Sequence, residues 1–127
     1  MAVVLSIGQC SYDDSRIGHV VRKALGATLD RADDPEEARR MMSAKKYDLV
    51  LVNRVFDAGT GMGVDFIAET TRSGNAPPIM LVSDYADAQA AAVANGAVMG
   101  FGKASIADPR VTELLRNAVG SGAAQNK

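Results

Sequence analysis

The chain has few of the residues that support covalent or metal-based stabilisation. It contains one cysteine and one histidine. A single cysteine permits neither an intramolecular disulfide nor a cysteine zinc cluster. Hydrophobic residues nevertheless make up 47% of the 127 residues, which is enough for one domain with a sizeable core. We therefore predict a globular domain stabilised by the burial of apolar side chains.

The chain also lacks an excess of either charge and any long apolar run. Its 14 basic and 15 acidic residues give a net charge of -1, so no global basic field favours nucleic acid. The apolar run at residues 2–7 is too short to span a membrane and follows no basic segment. We expect a cytoplasmic protein that binds neither nucleic acid nor a membrane.

The clearest pattern in the chain is the segment 47–53, with the sequence YDLVLVN. Four consecutive Leu and Val residues are typical of a strand that is covered on both faces, as in the middle of a parallel sheet. The segment ends at Asn53. In open α/β sheets, binding sites form at the carboxyl ends of the central strands, so Asn53 is the first candidate site residue.

Strand-like apolar runs alternate with amphipathic segments along the whole chain. The runs cover residues 2–7, 27–31, 47–53, 79–82 and 98–101. Ser11 is the expected cap of the first helix, and Asp13 and Asp14 in its first turn suit the helix dipole. This alternation predicts a doubly wound α/β domain over residues 1–119. The Gly- and Ala-rich residues 120–127 are predicted to form a flexible tail.

Three features of the chain match, in order and spacing, the sequence pattern of a known protein family. They are the apolar segment that ends at Asn53, Ser83 after the fourth strand, and Gly96-Ala97 leading to Lys103 after the fifth strand. Over residues 3–119 the chain resembles the receiver domain of bacterial two-component response regulators. The resemblance implies a flavodoxin-like fold, with a five-stranded parallel sheet in the order 2-1-3-4-5 and five helices.

In that family an aspartate at the end of the third strand accepts a phosphoryl group, and two acids after the first strand bind Mg²⁺. A Ser or Thr and a Lys contact the phosphoryl oxygens. Here the acceptor position is Asn53, and the acidic pair falls on Gln9 and Cys10, or one residue earlier, whereas Ser83 and Lys103 match. Phosphoryl transfer requires an anionic nucleophile and usually a metal ion. The resemblance therefore implies a pseudo-receiver that is not an enzyme and binds no Mg²⁺ or other cofactor.

Two further positions depart from the family pattern. The proline that usually follows the lysine is Ala104, and the aromatic switch residue of the fifth strand falls on Gly100, beside Phe101. Asn53 itself has two interpretations. It is either a permanent mimic of one signalling state or an amide whose hydrogen bonds are satisfied by neighbouring backbone groups.

No acidic cluster is present to neutralise Lys103. We therefore expect it to have a different partner or to turn its ammonium group outward, because an isolated buried ammonium group is costly. Asp57 and Asp84 are the expected candidates. Asp57 is also the only nearby acid for an alternative hypothesis, a phosphorelay receiver with a displaced acceptor. A third hypothesis is a small anion- or nucleotide-binding protein that uses Ser83, Lys103 and the glycine-rich residues 59–63, although their spacing is not that of a dinucleotide-binding motif.

The alanine-rich segment 86–94 gives a helix with little side-chain bulk. In the receiver family, helix four, strand five and helix five form the face that contacts partners or a second copy. By this resemblance we expect Ala90, Ala94 and Phe101 to mark the partner face. The partner would be a signalling protein, such as a kinase or an output protein, or the chain itself. The favoured function is phosphorylation-independent signal transduction through protein contacts.

Overall fold

The computed structural model describes residues 2–55 and 62–125, with side chains to residue 120. The described residues form five strands and five α-helices in alternation, with a short 3-10 helix (Lys103–Ser105) before the last α-helix. The strands are β1 (Val3–Ile7), β2 (Thr28–Ala32), β3 (Leu49–Asn53), β4 (Ile79–Val82) and β5 (Val98–Phe101). The helices are α1 (Ser11–Leu25), α2 (Pro35–Ala44), α3 (Gly63–Arg72), α4 (Ala86–Ala94) and α5 (Pro109–Gln125).

All strand pairs in the sheet are parallel, in the order β2-β1-β3-β4-β5. The predicted doubly wound, flavodoxin-like fold is therefore confirmed. Its central strand is the uninterrupted Leu and Val run, because β3 pairs with β1 on one side and with β4 on the other.

The sheet separates two apolar layers, and alternate residues of β3 belong to different layers. Leu49 and Leu51 pack in the layer with α1 and α5. Val50 and Val52 pack in the layer with α2, α3 and α4. All four are 0% exposed. An unbroken apolar run is thus required at this strand, since both of its faces are covered.

The helix ends follow the expected local chemistry with one correction. Asp34 caps α2 by accepting a hydrogen bond from the Glu37 N–H at 2.8 Å, and Pro35 is its first residue. For α1, however, the cap is Cys10 and not Ser11, which is already helical. The Cys10 Sγ accepts a hydrogen bond from the Asp13 N–H at 3.4 Å. Asp13 and Asp14 are accordingly in the first turn.

Helix α5 continues to Gln125, into the residues 120–127 that the sequence assigns to a tail. The helix therefore does not end at residue 119, and the end of the domain there stays a prediction. Within the described ranges, no helix combines the length and the apolar character that crossing a membrane requires.

Candidate functional site

The predicted site residues come together at one edge of the sheet. Because β1, β3 and β4 are parallel neighbours, the residues that follow them leave the sheet side by side. The register pairs Ile7 with Val52 and Asn53 with Val82. This arrangement puts Gly8 and Gln9, Asn53 and Ser83 at the same carboxyl edge.

Asn53 is fixed by the backbone of this edge. Its side-chain Nδ2 donates hydrogen bonds to the Gly8 carbonyl at 3.0 Å and to the Val55 carbonyl at 2.9 Å. The side chain therefore links the end of β3 to the turn after β1. A carboxylate could not reproduce these contacts, because it has no N–H to donate. This geometry favours the interpretation of Asn53 as an amide satisfied by backbone groups.

Gln9 occupies the family's acidic position without contributing charge. Its side chain is 5% exposed, and neither its Oε1 nor its Nε2 has a hydrogen-bond partner. In the described part of the chain, no group of three or more His, Cys, Asp or Glu residues is arranged to hold a metal ion. Mg²⁺ prefers anionic oxygen ligands, so the residues at this edge do not fit the metal that the receiver family binds.

Lys103 pairs with an acid that was not among the expected candidates. Its Nζ lies 3.1 Å from Asp13 Oδ2 on the first turn of α1. Burial alone would raise the pKa of Asp13, but the hydrogen bonds from Lys103 and Cys10 and the charges of Lys103 and Arg16 together hold it below its ordinary value. The prediction of Asp84 as partner is wrong. Asp57 and residues 59–61 lie outside the described residues.

Asp14, the neighbouring acid, is committed to internal contacts. Its Oδ1 accepts a hydrogen bond from Ser6 Oγ at 2.6 Å, and its Oδ2 lies 2.7 Å from Arg31 Nε. The pKa of this carboxyl is raised mainly by burial, which outweighs the lowering effects of Ser6 and Arg31. Both oxygens are thus engaged, and Asp14 is not positioned to replace the missing site acids.

Asp84 instead stabilises the turn after β5. Its carboxylate accepts the Ala104 N–H at 3.2 and 3.4 Å. A Cβ added at Gly102 would overlap the Asp84 Oδ1. A proline at position 104 would have no N–H to donate. Ala104 therefore supplies a hydrogen bond that a proline at this position could not.

The structure also reveals a site residue that sequence reasoning missed, Gln89 of α4. Two residues of β5, Met99 and Gly100, stand opposite Leu81 alone, since the register pairs Met80 with Val98 and Val82 with Phe101. Such a bulge interrupts the ladder of backbone hydrogen bonds. The buried Gln89 amide repairs it. Its Nε2 donates to the Leu81 and Ser83 carbonyls at 2.8 and 3.1 Å, and its Oε1 accepts the Gly100 N–H at 3.1 Å.

The same packing explains the glycine at the family's aromatic position. A Cβ at Gly100 would overlap the Leu81 carbonyl oxygen and lie 3.2 Å from Gln89 Oε1. A large side chain would therefore displace the backbone of β4 or the Gln89 amide. Gly100 and the buried Gln89 amide form one structural unit, which the sequence pattern alone does not reveal.

Ser83 is buried, and its Oγ accepts a hydrogen bond from the Tyr85 N–H at 3.1 Å. The ring of Tyr85 is 61% exposed, and the Arg54 guanidinium carbon lies 4.5 Å from its centroid. This stacking connects the chain after β3 with the chain after β4 at the rim of the site.

The predicted partner face requires one correction. Ala90 and Ala94 are exposed on α4, as expected. Phe101, however, is only 6% exposed and packs in the core layer of α1 and α5, so its inclusion in a surface is wrong. The exposed apolar residues of this region are Val93 at 41% and Met99 at 52%.

Comparison with known proteins gives a structural relationship only. No family model and no curated protein match the sequence. Solved structures do match. NtrX from Brucella abortus superposes with a TM-score of 0.84 at 17% identity, over 99% of this chain and 28% of that chain. The beryllofluoride-activated NtrC4 receiver domain dimer gives a TM-score of 0.79 at 17% identity, over 95% of this chain and 98% of that chain.

A third match is the signal receiver domain of an HD domain-containing protein from Pseudomonas fluorescens Pf-5, with a TM-score of 0.80 at 17% identity, over 98% and 91% of the two chains. The chain has the receiver fold. It spans about a quarter of NtrX and almost all of the isolated receiver domains. At these identities the likeness establishes the fold alone.

Proposed function

We propose that this chain is a receiver-fold signalling module that acts through protein–protein contacts without phosphorylation of the strand-end position. The observation that carries the proposal is the charge arrangement at the carboxyl edge of the sheet. An amide stands at residue 53, an uncharged Gln stands at residue 9, and the Lys103 ammonium is already paired with Asp13.

Each of these features opposes phosphoryl transfer. The neutral Asn53 amide is a poor nucleophile, and its nitrogen is engaged by two carbonyl groups. No set of acidic ligands for Mg²⁺ occurs in the described ranges, and Asp14 is held by Ser6 and Arg31. Without the metal, the charge that develops on the transferred group has little to neutralise it. We accordingly expect no Mg²⁺ requirement.

Acetyl phosphate with Mg²⁺ is expected to leave the protein unmodified, because no activated carboxylate is available at the strand ends. Intact-mass spectrometry after incubation tests this directly. Beryllofluoride with Mg²⁺ should likewise leave the amide NMR spectrum unchanged. A receiver domain that carries the aspartate, treated in parallel, serves as the positive control. A mass gain of one phosphoryl group would contradict the proposal.

One contact favours an alternative function, a phosphorelay receiver with a displaced acceptor. The lysine that contacts phosphoryl oxygens in the family lies here beside Asp13. If labelling occurs, fragment mass spectrometry of the labelled chain will assign it to Asp13 or Asp57. We favour the phosphorylation-independent function, because Asp13 is already paired with Lys103 and belongs to no group of three or more metal-binding side chains in the described ranges.

The proposed contact surface is the face of α4, β5 and the start of α5, reached by a signalling protein or by a second copy. The small exposed residues Ala90 and Ala94 permit close approach, and the exposed Met99 adds apolar area. The location rests on analogy with the receiver family. Cytoplasmic localisation likewise stays a prediction.

Ala90→Glu is expected to abolish or strongly weaken capture of the partner, because it adds a charged side chain to the centre of this face. Affinity capture followed by mass spectrometry, together with sedimentation for self-association, provides the measurement. Ala44→Glu is the matched control, since Ala44 is an equally simple exposed alanine on α2. A partner that is lost with Ala44→Glu and retained with Ala90→Glu would place the interface elsewhere.

A further inference from the structure

A groove of about 640 Å³ lies between α1 and the edge strand β2. Its volume is within the range of pockets that hold small ligands. On the helix side, the lining residues recur at spacings of three and four, so they form one stripe along α1. The helix contributes Ser11, Asp14, Ser15, Gly18, His19 and Arg22, and the strand contributes Thr28, Leu29 and Arg31.

The groove carries more positive than negative charge. Its two guanidinium groups, Arg22 and Arg31, face one carboxylate, Asp14. That carboxylate already pairs with Arg31 Nε at 2.7 Å and accepts a hydrogen bond from the Ser6 hydroxyl. The unpaired positive charge of the groove is therefore that of Arg22. Among the described residues, Arg22 and His19 take part in no ion pair and no ring contact.

The two outer nitrogens of Arg31, a lining residue of the groove, make only long contacts. Its Nη1 lies 3.4 Å from Ser11 Oγ, and its Nη2 lies 4.0 Å from Asp33, which is largely exposed. The guanidinium is thus oriented by Asp14 through Nε while its outer nitrogens stay accessible. A planar guanidinium group held in this orientation is suited to donate hydrogen bonds to two oxygens of an anion.

Gly18 keeps the groove open without being required by the fold. A Cβ at this position would meet only the Leu29 side chain, at 3.6 Å, which is an ordinary contact. Glycine inside a helix is unfavourable compared with alanine. Gly18 therefore lowers the local stability of α1. The absence of a side chain at this position leaves space above Leu29, beside the arginine side chains of the groove.

We propose that this groove binds a small molecule that carries a phosphate group. Near the end of α1, Arg22, His19 and Thr28 supply donors for the phosphate oxygens. Arg31, Ser11 and Ser15 lie roughly two to three helical turns away, toward the start of the helix, and supply donors for a second polar or anionic group of the same ligand. The apolar space over Gly18 and Leu29 accommodates a ring or a chain of the same ligand. The proposal is independent of the function of the strand-end site, because it uses neither Asn53 nor Lys103.

Titration with ATP, inorganic phosphate and sulfate, followed by amide NMR shifts without added Mg²⁺, tests the inference. We expect saturable shifts centred on residues 15–22 and 28–31 with ATP and, more weakly, with phosphate. Arg22→Glu should weaken ATP binding roughly tenfold or more, since it replaces a charged donor by a repelling group. Gly18→Leu should weaken binding similarly by filling the groove.

Lys23→Glu is the matched control. It makes the same change of net charge in the same last turn of α1, but Lys23 does not line the groove. We expect its ATP affinity to stay within about twofold of the wild-type value. Thermal unfolding of each variant confirms that the fold is kept. The proposal is overturned if no ligand saturates, if Lys23→Glu weakens binding as much as Arg22→Glu, or if sulfate binds as tightly as ATP.

Discussion

Substitution of Gln89 by methionine is expected to lower the free energy of unfolding by roughly 2–4 kcal/mol. Methionine has a similar length and shape but cannot make the hydrogen bonds of the amide. The Gly100 N–H would lose its acceptor, and the Leu81 and Ser83 carbonyls would lose a donor. These groups lie at or beside the bulge between β4 and β5, where the ladder of backbone hydrogen bonds is interrupted. A buried backbone group without a partner costs about 1–3 kcal/mol.

Denaturant unfolding followed by circular dichroism measures this effect, and amide hydrogen exchange at Gly100 locates it. Ala90→Leu is the control, because it adds an apolar side chain to the exposed side of the same helix without touching the bulge. We expect the free energy of unfolding of this control to stay within about 0.5 kcal/mol of the wild-type value. If the free energy of unfolding of Gln89→Met also lies within this range of the wild type, water or a relaxed β5 satisfies the Gly100 N–H and the Leu81 and Ser83 carbonyls.

The fold could be predicted because local patterns and global topology agree. The Leu and Val run of β3 required cover on both faces, and the sheet provides it through two separate layers. The start of α2 at Asp34 and Pro35 followed from cap chemistry that depends on neighbouring residues only. The first helix was less predictable, since a thiol took the cap position one residue before the expected hydroxyl.

The site was predicted in position but not in its contacts. Sequence register placed Asn53, Ser83 and Lys103 at the correct edge, because parallel strands end together. The partner of Lys103 could not be inferred in this way, since Asp13 is 90 residues distant and lies on a helix, where its charge was explained by the dipole. Because α1 begins directly after β1, its first turn lies over the carboxyl edge of the sheet. The short connection between the two elements could therefore have identified Asp13 as a partner of Lys103.

Gln89 was missed for a related reason. Its position in an alanine-rich helix gives no indication of burial, and its role depends on a bulge that only the strand register reveals. Phe101 shows the opposite error. A large side chain next to a predicted partner face was expected at the surface, but the bulge turns it into the core layer with α5. One extra residue in a strand reverses the side to which the following side chains point.

Asn53→Asp is expected to destabilise the protein at neutral pH by roughly 2–4 kcal/mol. The Asn53 Nδ2 donates to two carbonyl oxygens, at 3.0 and 2.9 Å. An aspartate oxygen in its place would face the same two oxygens with a negative charge. Lys103 would offer limited compensation, because Asp13 already holds it. The folded state should therefore raise the pKa of the new carboxyl above its unfolded value.

The sign of the pH dependence follows from that raised pKa. An acid whose pKa is higher in the folded state than in the unfolded state destabilises the protein when it is ionised. The loss in free energy of unfolding relative to the wild type should therefore be largest at pH 7. It should shrink as the pH falls through the folded pKa, because protonation restores one donor. Asn53→Ala is the control. This variant loses the same hydrogen bonds without adding a charge. Its loss in free energy of unfolding should therefore be nearly independent of pH over this range.

Restoring the family's nucleophile is also expected to leave the protein unreactive. The new carboxylate would still lack acids at residues 9 and 10 to bind Mg²⁺, and phosphoryl transfer depends on that charge neutralisation. Acetyl phosphate labelling of Asn53→Asp, measured by intact mass with and without Mg²⁺, should stay at background. Adding Gln9→Asp and Cys10→Asp should be necessary for Mg²⁺-dependent labelling. Clear labelling of the single variant would mean that Asp13 and Lys103 separate readily enough to rebuild a working site.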